Sequence, residues 1–192
     1  MTPIACFHHQ KKMDLPHALS QFIDSNDATD LTDRKSVSSD IVLFGSVAVS
    51  WKVTKDMSIA SSTTDAETRA AFKGVKRLIT LRNYFAHLGF PISTPTPVFE
   101  DNKGTFDLIK KGRQTPRVKH VDARLCYLHE IHKSGEFIVH ECNTDLMLAD
   151  GLNKALTGPA IRHHSNIYTG RRFLPSPNSQ HYKELTRLCP LS

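Results

Sequence analysis

The run STTDAETRAAFKGVKRLITLRNYFAHLGF, which begins at Ser62, limits the fold more than any other part of the chain. Ser62 or Thr63 is placed to cap a helix, and Asp65 and Glu67 fall in its first turn. Its apolar stripe runs through Ala71, Val75, Leu78, Phe85 and Leu88 at roughly helical spacing, and Gly89 and Pro91 end it. A long helix with one apolar face has to bury that face on another element. The flanking sequence offers strands. Before it, IVLFGSVAVSWKV reads as a hairpin turning at Gly45-Ser46. After it, PVFED reads as a short strand that ends at Asp101.

The remaining elements follow the same alternation. ALSQFIDSND gives a first strand ending at the acid Asp24. NKGTFDLIKKG and RVKHVDARLCYLHEIHKSG read as helices, and EFIVHEC as a strand. LMLADGLNKALTG reads as a last helix, stopped by Gly158-Pro159. Three strands, a helix, a strand, two helices, a strand and a helix predict an α/β fold with a mixed sheet and helices on its faces. Residues 1–19 read as a loose polar leader, 20–170 as the domain, and 171–192 as a Pro- and Ser-rich tail.

Four carboxylates stand beside apolar runs in this order. Asp24 ends the first strand, Glu67 opens the long helix, Asp101 ends the fourth strand, and Asp150 lies in LMLADGLNK. Glu67 sits four residues before Ala71 and so shares the sheet-facing stripe. Alone, each acid reads as a capping, turn or surface residue. As a set they would repel one another unless a cation lies between them. Oxygen-only clusters select hard ions such as Mg2+, and two such ions about 3.5–4 Å apart can clamp an in-line phosphoryl displacement.

The net charge is +6 over 192 residues, which favours polyanionic partners. Basic residues concentrate at Lys103, Lys110, Lys111, Arg113, Arg117, Lys119 and Arg124, directly after the Asp101 strand. They can hold a phosphate backbone, or they are ordinary solvated helix faces. Ser62, Thr63 and Asn102 are placed near the acids to reach the 2′-hydroxyls of an RNA strand. His120 can meet a phosphate or Asp122, or simply open a helix. Cys126, His129 and His132 share a helix, with His140 and Cys142 on the next strand, but their spacing fits no zinc finger, so a zinc site is not expected. The four cysteines form no close pair and read as reduced thiols of an intracellular protein, cytoplasmic or nuclear. No stretch has the length or apolarity of a membrane span, so no membrane partner is expected.

DRKSVSSDIVLFGSVAVSWK, the long helix, TPVFEDNKG, RVKHVDAR and LADGLNKAL, in that order, resemble the ribonuclease H domain of copia-type retrotransposon polyproteins. The resemblance runs from about Phe22 to Tyr168. It implies the ribonuclease H-like fold, a five-stranded mixed sheet flanked by helices. It implies Mg2+- or Mn2+-dependent cleavage of the RNA strand of RNA–DNA hybrids by two metal ions. The family's four metal-binding acids fall on Asp24, Glu67, Asp101 and Asp150. The chain departs from the family at Asp27 and Thr68, where the family has aromatics, at Ser39-Asp40, where the family has Gly and an aromatic, and at Glu100, where the family has an apolar residue or Cys. Strand alternation puts Glu100 on the face opposite Asp101, beneath a helix. In the family this domain follows a reverse transcriptase, for which 192 residues leave no room, so a free-standing remnant or a fragment of a decayed element is expected. Three functional readings stand: a hybrid-specific endoribonuclease, a catalytically silent nucleic-acid-binding remnant, and an interaction module that keeps only the scaffold.

Overall fold

The structure is a computed structural model, and it describes residues 19–26, 33–45, 47–112 and 122–169. The expected tail and residues 1–18 of the expected leader lie outside these residues, and Leu19, the leader's last residue, opens the first strand. The five strands are β1 (Leu19–Asn26), β2 (Val37–Phe44), β3 (Val47–Lys55), β4 (Thr96–Glu100) and β5 (Phe137–Glu141). They form one mixed sheet in the order β3-β2-β1-β4-β5. β1, β2 and β3 are antiparallel neighbours, with Asp24 opposite Ser39 and Ile41 opposite Trp51. β4 lies parallel to β1, Phe22 beside Phe99, and β5 parallel to β4. This is the predicted five-stranded mixed sheet flanked by helices.

The parallel step from β3 to β4 needs a crossover, and α1 (Thr63–His87) supplies it. Ser62 caps the helix, its Oγ accepting the Asp65 amide at 3.1 Å. Ala70, Ala71, Val75 and Leu78 of α1 close over Leu19, Ile23, Val42 and Val98. α2 (Lys103–Lys111) and α3 (Asp122–Lys133) complete this layer through Ile109 and Leu128. The predicted stripe ends sooner than expected. Phe85 stacks on Phe44 at 5.4 Å, but Leu88 is 72% exposed, because it follows the last turn and Gly89, at φ +86, turns the chain away.

The other face of the sheet carries Phe22, Ile41, Leu43 and Phe99, covered by Met147, Leu148, Ala149 and Ile167. Here the sequence reading needs correction. LMLADGLNKALTG is not one helix. A 3-10 turn (Thr144–Leu146) ends at its first residue, it holds a single turn of helix, α4 (Asp150–Asn153), and Lys154 is extended. Gly158-Pro159 does not stop a helix but opens one, α5 (Gly158–Tyr168). Proline is tolerated in the first helical turn because its missing N–H would have had no partner there. The segment after Gly158-Pro159 is therefore a packed helix, whose Ile167 is buried.

One turn of helix is not stable by itself. α4 is held from outside. The Tyr168 hydroxyl donates to the Leu148 carbonyl and lies 3.2 Å from His164 Nδ1. The Ser39 hydroxyl donates to the Ala149 carbonyl at 3.0 Å, and the Asn26 amide to the Asn153 carbonyl at 3.0 Å. Gly151 makes room for this clamp: a Cβ there would lie 2.3 Å from the Tyr168 hydroxyl and 2.7 Å from His164 Nδ1. Gly151→Ala should therefore destabilise the protein by about 1–3 kcal/mol, while Tyr168→Phe costs about 1 kcal/mol. In a double-mutant cycle read by melting temperature, the two losses should not add, because both break one contact. Full additivity would show that Tyr168 does not restrain α4.

Candidate metal centre

Each acid is aimed by a different element. Asp24 lies on β1, two residues before its end rather than at the strand tip, and is 1% exposed. As the central strand, β1 is packed on both faces, so the polar side chains in its middle, Gln21, Asp24 and Ser25, are buried. Glu67 lies in the second turn of α1 and is 4% exposed. Asp101 follows the last residue of β4 and is partly exposed. Asp150 opens α4 and is buried.

The structure brings three of them together directly: oxygens of Asp24, Glu67 and Asp101 all lie within 4.8 Å of one another. Asp150 joins through a fifth residue, Lys154. Its Nζ donates to Asp24 Oδ1 at 2.9 Å and to Asp150 Oδ1 at 2.7 Å. Asn153 Nδ2 donates to Asp24 Oδ2 at 2.8 Å, and the Thr144 hydroxyl to Asp101 Oδ2 at 3.2 Å. Glu67 Oε2 is buried with no hydrogen-bond partner.

The electrostatics follow from this crowding. Burial, then the nearby charges of Asp24 and Asp101, push Glu67 up to about 9. Burial first, with Asp24 and Asp101 adding to it, pushes Asp150 up to about 6 against the pull of Lys154. Asp101 is raised for the same reasons, burial before the charge of Asp24. Glu100 joins the cluster from beneath. It is 1% exposed, one oxygen accepts the Asn102 amide at 3.2 Å, the other has no partner, and burial and the charge of Glu67 raise it well above the usual carboxylate range. Oxygen-only donors, an unpartnered buried oxygen and a single compensating cation fit a hard divalent ion.

The residues expected to meet nucleic acid divide into three groups. Ser62, Thr63, Asn102 and Lys103 sit at the N-termini of α1 and α2, which touch through Thr105 Oγ1 and the Thr64 carbonyl at 3.4 Å. Ser62 and Asn102 cap these helices, so their side-chain oxygens already accept backbone amides. Lys110 and Lys111 stand at the far end of α2, about 10 Å along its axis from Lys103. Lys110 Nζ lies 4.4 Å from the centre of the Phe106 ring, and Lys111 pairs with Asp107 at 3.2 Å. Arg113, Lys119 and His120 lie outside the described residues.

The expected lack of a zinc site can be compared with the positions of its would-be ligands. His129 Nδ1 is 3.0 Å from the Ile109 carbonyl, His132 lies edge-on to Phe137, and Cys142 is buried with its thiol pushed up to about 12. Among the described residues, neither Cys126 nor Cys142 is in a disulfide.

Lys154 and Asn153 escaped the sequence reading. The available signal was the four-residue spacing of Asp150 and Lys154 in DGLNK, which on a helix usually marks only a solvated pair.

Comparison with known proteins agrees with the geometry. No family model matches the chain. A retrovirus-related Pol polyprotein from transposon TNT 1-94 of Nicotiana tabacum is 30% identical over 138 residues, covering 72% of this chain. The chain spans about a tenth of the length of the curated relatives it matches. Among solved structures, a ribonuclease H1 isolated from compost by a metagenomic approach superposes with a TM-score of 0.53 at 10% identity, covering 71% of this chain and 92% of that one. A foamy viral protease-reverse transcriptase, solved in complex with an RNA/DNA hybrid, superposes with a TM-score of 0.53 at 11% identity, covering 83% of this chain and 22% of that one. The strand order, the shared fold and the relationship to plant transposon polyproteins lead to one conclusion: the chain belongs to the ribonuclease H domains of copia-type retrotransposon Pol polyproteins.

Proposed function

We propose that the domain cleaves the RNA strand of RNA–DNA hybrids with two divalent ions, Mg2+ or Mn2+. The observation that carries the proposal is the convergence of oxygens of Asp24, Glu67 and Asp101 within 4.8 Å of one another, with a buried oxygen of Glu67 left without a hydrogen-bond partner. Such a cluster is a liability to the fold unless a cation binds it. Asp24, Glu67 and Asp101 would hold one ion, and Asp24 and Asp150 the other. When bound, the ions supply an activated water and stabilise the leaving oxygen. Thr144 orients the Asp101 carboxylate, and Asn153 orients that of Asp24. The hybrid bound by the foamy viral protein, which shares the fold, supports this substrate class. The relationship to Pol polyproteins supports a reverse transcriptase as the partner domain in the parent polyprotein.

A silent nucleic-acid-binding remnant is the second reading. The buried Glu100 carboxylate favours it, since it adds repulsion to the cluster without a hydrogen-bond partner on one oxygen. An end-labelled RNA–DNA hybrid incubated with the full chain, with and without Mg2+, separates the two. The nuclease reading expects ion-dependent cuts in the RNA strand alone. Binding without cutting at any Mg2+ or Mn2+ concentration would establish the second reading instead.

Lys110 and Lys111 are proposed to contact the hybrid backbone. Changing both to Gln should weaken hybrid binding and lower the slope of log affinity against log salt by about 2, leaving cleavage of saturating substrate in place. Unchanged affinity at low salt would make them solvated helix residues.

A further inference from the structure

We infer that Lys154 is the resident cation of the second ion position, so that the chain binds one divalent ion readily and a second only by displacing its own ammonium group. The inference rests on the metal reading above and concerns how that site is regulated.

The acid cluster has two unequal halves. One half, Asp24 with Glu67 and Asp101, has its oxygens within 4.8 Å of one another, and Glu67 Oε2, on a side chain 4% exposed, has no partner. This half has a place for a cation, and among the described residues no salt bridge reaches Glu67 or Asp101. The other half, Asp24 with Asp150, is already bridged by Lys154 Nζ at 2.9 and 2.7 Å. An ion held by Asp24 and Asp150 would compete with the ammonium for these two carboxylates. Ammonium and divalent ion cannot occupy that place together, because both are cations and both need those lone pairs.

The lysine is built to leave. Its side chain is 31% exposed, against 1% for Asp24 and 10% for Asp150, so the ammonium has a route to water that the acids do not. Lys154 is also the C-cap of α4, in extended conformation, so its stem can swing without unwinding the helix. Displacement exchanges one positive charge for two at the acids and returns the ammonium to solvent. The cluster is therefore neutralised in part when metal is scarce, and the second ion enters only at higher concentration.

The test is a Mn2+ titration of the full chain, followed by the electron paramagnetic resonance signal of free Mn2+ and by calorimetry, with melting temperature confirming that each variant is folded. The parent should bind one Mn2+ tightly and a second at least about tenfold more weakly. Lys154→Gln should leave the first affinity nearly unchanged and tighten the second by tenfold to a hundredfold as an order of magnitude. Lys154→Arg, which keeps a cation at the acids, should behave like the parent. Asp150→Asn should keep the tight ion and lose the second. The inference is overturned if the parent binds two ions equally, or if Lys154→Gln leaves the second affinity unchanged while the first ion still binds. If neither parent nor variant binds Mn2+, the metal reading fails, and this inference with it.

Discussion

Raising the pH of the metal-free protein from 6.5 to 9 should lower its melting temperature steadily, and Mg2+ should largely remove that fall. Glu67 is held up to about 9 by burial and by Asp24 and Asp101, and Glu100 is raised well above its usual range by burial and by Glu67. In the unfolded chain both titrate near 4.5. A group with a folded pKa above its unfolded one contributes its full stability below the unfolded value. That contribution is lost as the pH climbs through the folded value. The loss thus begins near pH 4.5 and continues to about pH 9 for Glu67, and it amounts to several kcal/mol in order of magnitude. Asp150 and Asp40, both raised to about 6, add to the lower part of the window. His132, His140 and His164 act in the opposite direction there, since partial burial of the first two and full burial of His164 depress them below 6.5, so the fall is cleanest above that pH. On the proposed metal site, Mg2+ should bind the deprotonated carboxylates and stabilise the native state by mass action, which would offset the site's share of the loss. The share of Asp40, paired with Arg77 at 2.8 Å away from the cluster, should not respond to metal. A melting temperature flat from pH 6.5 to 9 would mean that the acids are solvated rather than buried together.

Two isosteric substitutions should then part company. Glu67→Gln and Glu100→Gln each remove one buried carboxylate from a crowded group, so each should raise the metal-free melting temperature at pH 8. The gain should correspond to a few kcal/mol for either residue. Their effects on function should differ by orders of magnitude. Glu67 places a carboxylate oxygen within 4.8 Å of oxygens of Asp24 and Asp101, so Glu67→Gln should abolish the Mg2+-dependent gain in stability and nearly all hybrid cleavage. Glu100 spends one oxygen on the Asn102 amide, a bond that a Gln carbonyl can also accept. Glu100→Gln should keep both the Mg2+ response and the cleavage. Melting curves over a Mg2+ titration, with hybrid cleavage measured on the same preparations, decide the matter. Loss of cleavage in both variants would make Glu100 a ligand as well, and loss in neither would remove Glu67 from the site.

The sequence alone determined the framework and the chemistry of the acids. The caps and stripe of α1, the hairpin around Gly45 and the short strand before Asp101 are local signals, set by neighbours within a few residues. The four carboxylates were legible because each stands beside an apolar run where a charge is expensive. What a Gly-Pro pair does was not legible. The same two residues end one helix or begin the next, and Gly158-Pro159 begins α5 because Ile167 and Tyr168, ten residues on, find a sheet face and the Leu148 carbonyl to pack against. Nor could the sequence distinguish Asp150 and Lys154 from an ordinary surface pair. Only the crossover that seats α4 against β1 brings Asp24, 130 positions away, onto the same ammonium. The burial of Glu100 against Glu67 has the same origin, since their repulsion exists only once β4 and α1 share a face. Local pattern determines which residues are charged and which elements form. The strength and sign of the forces between those charges depend on distance and burial, and the tertiary structure alone sets both.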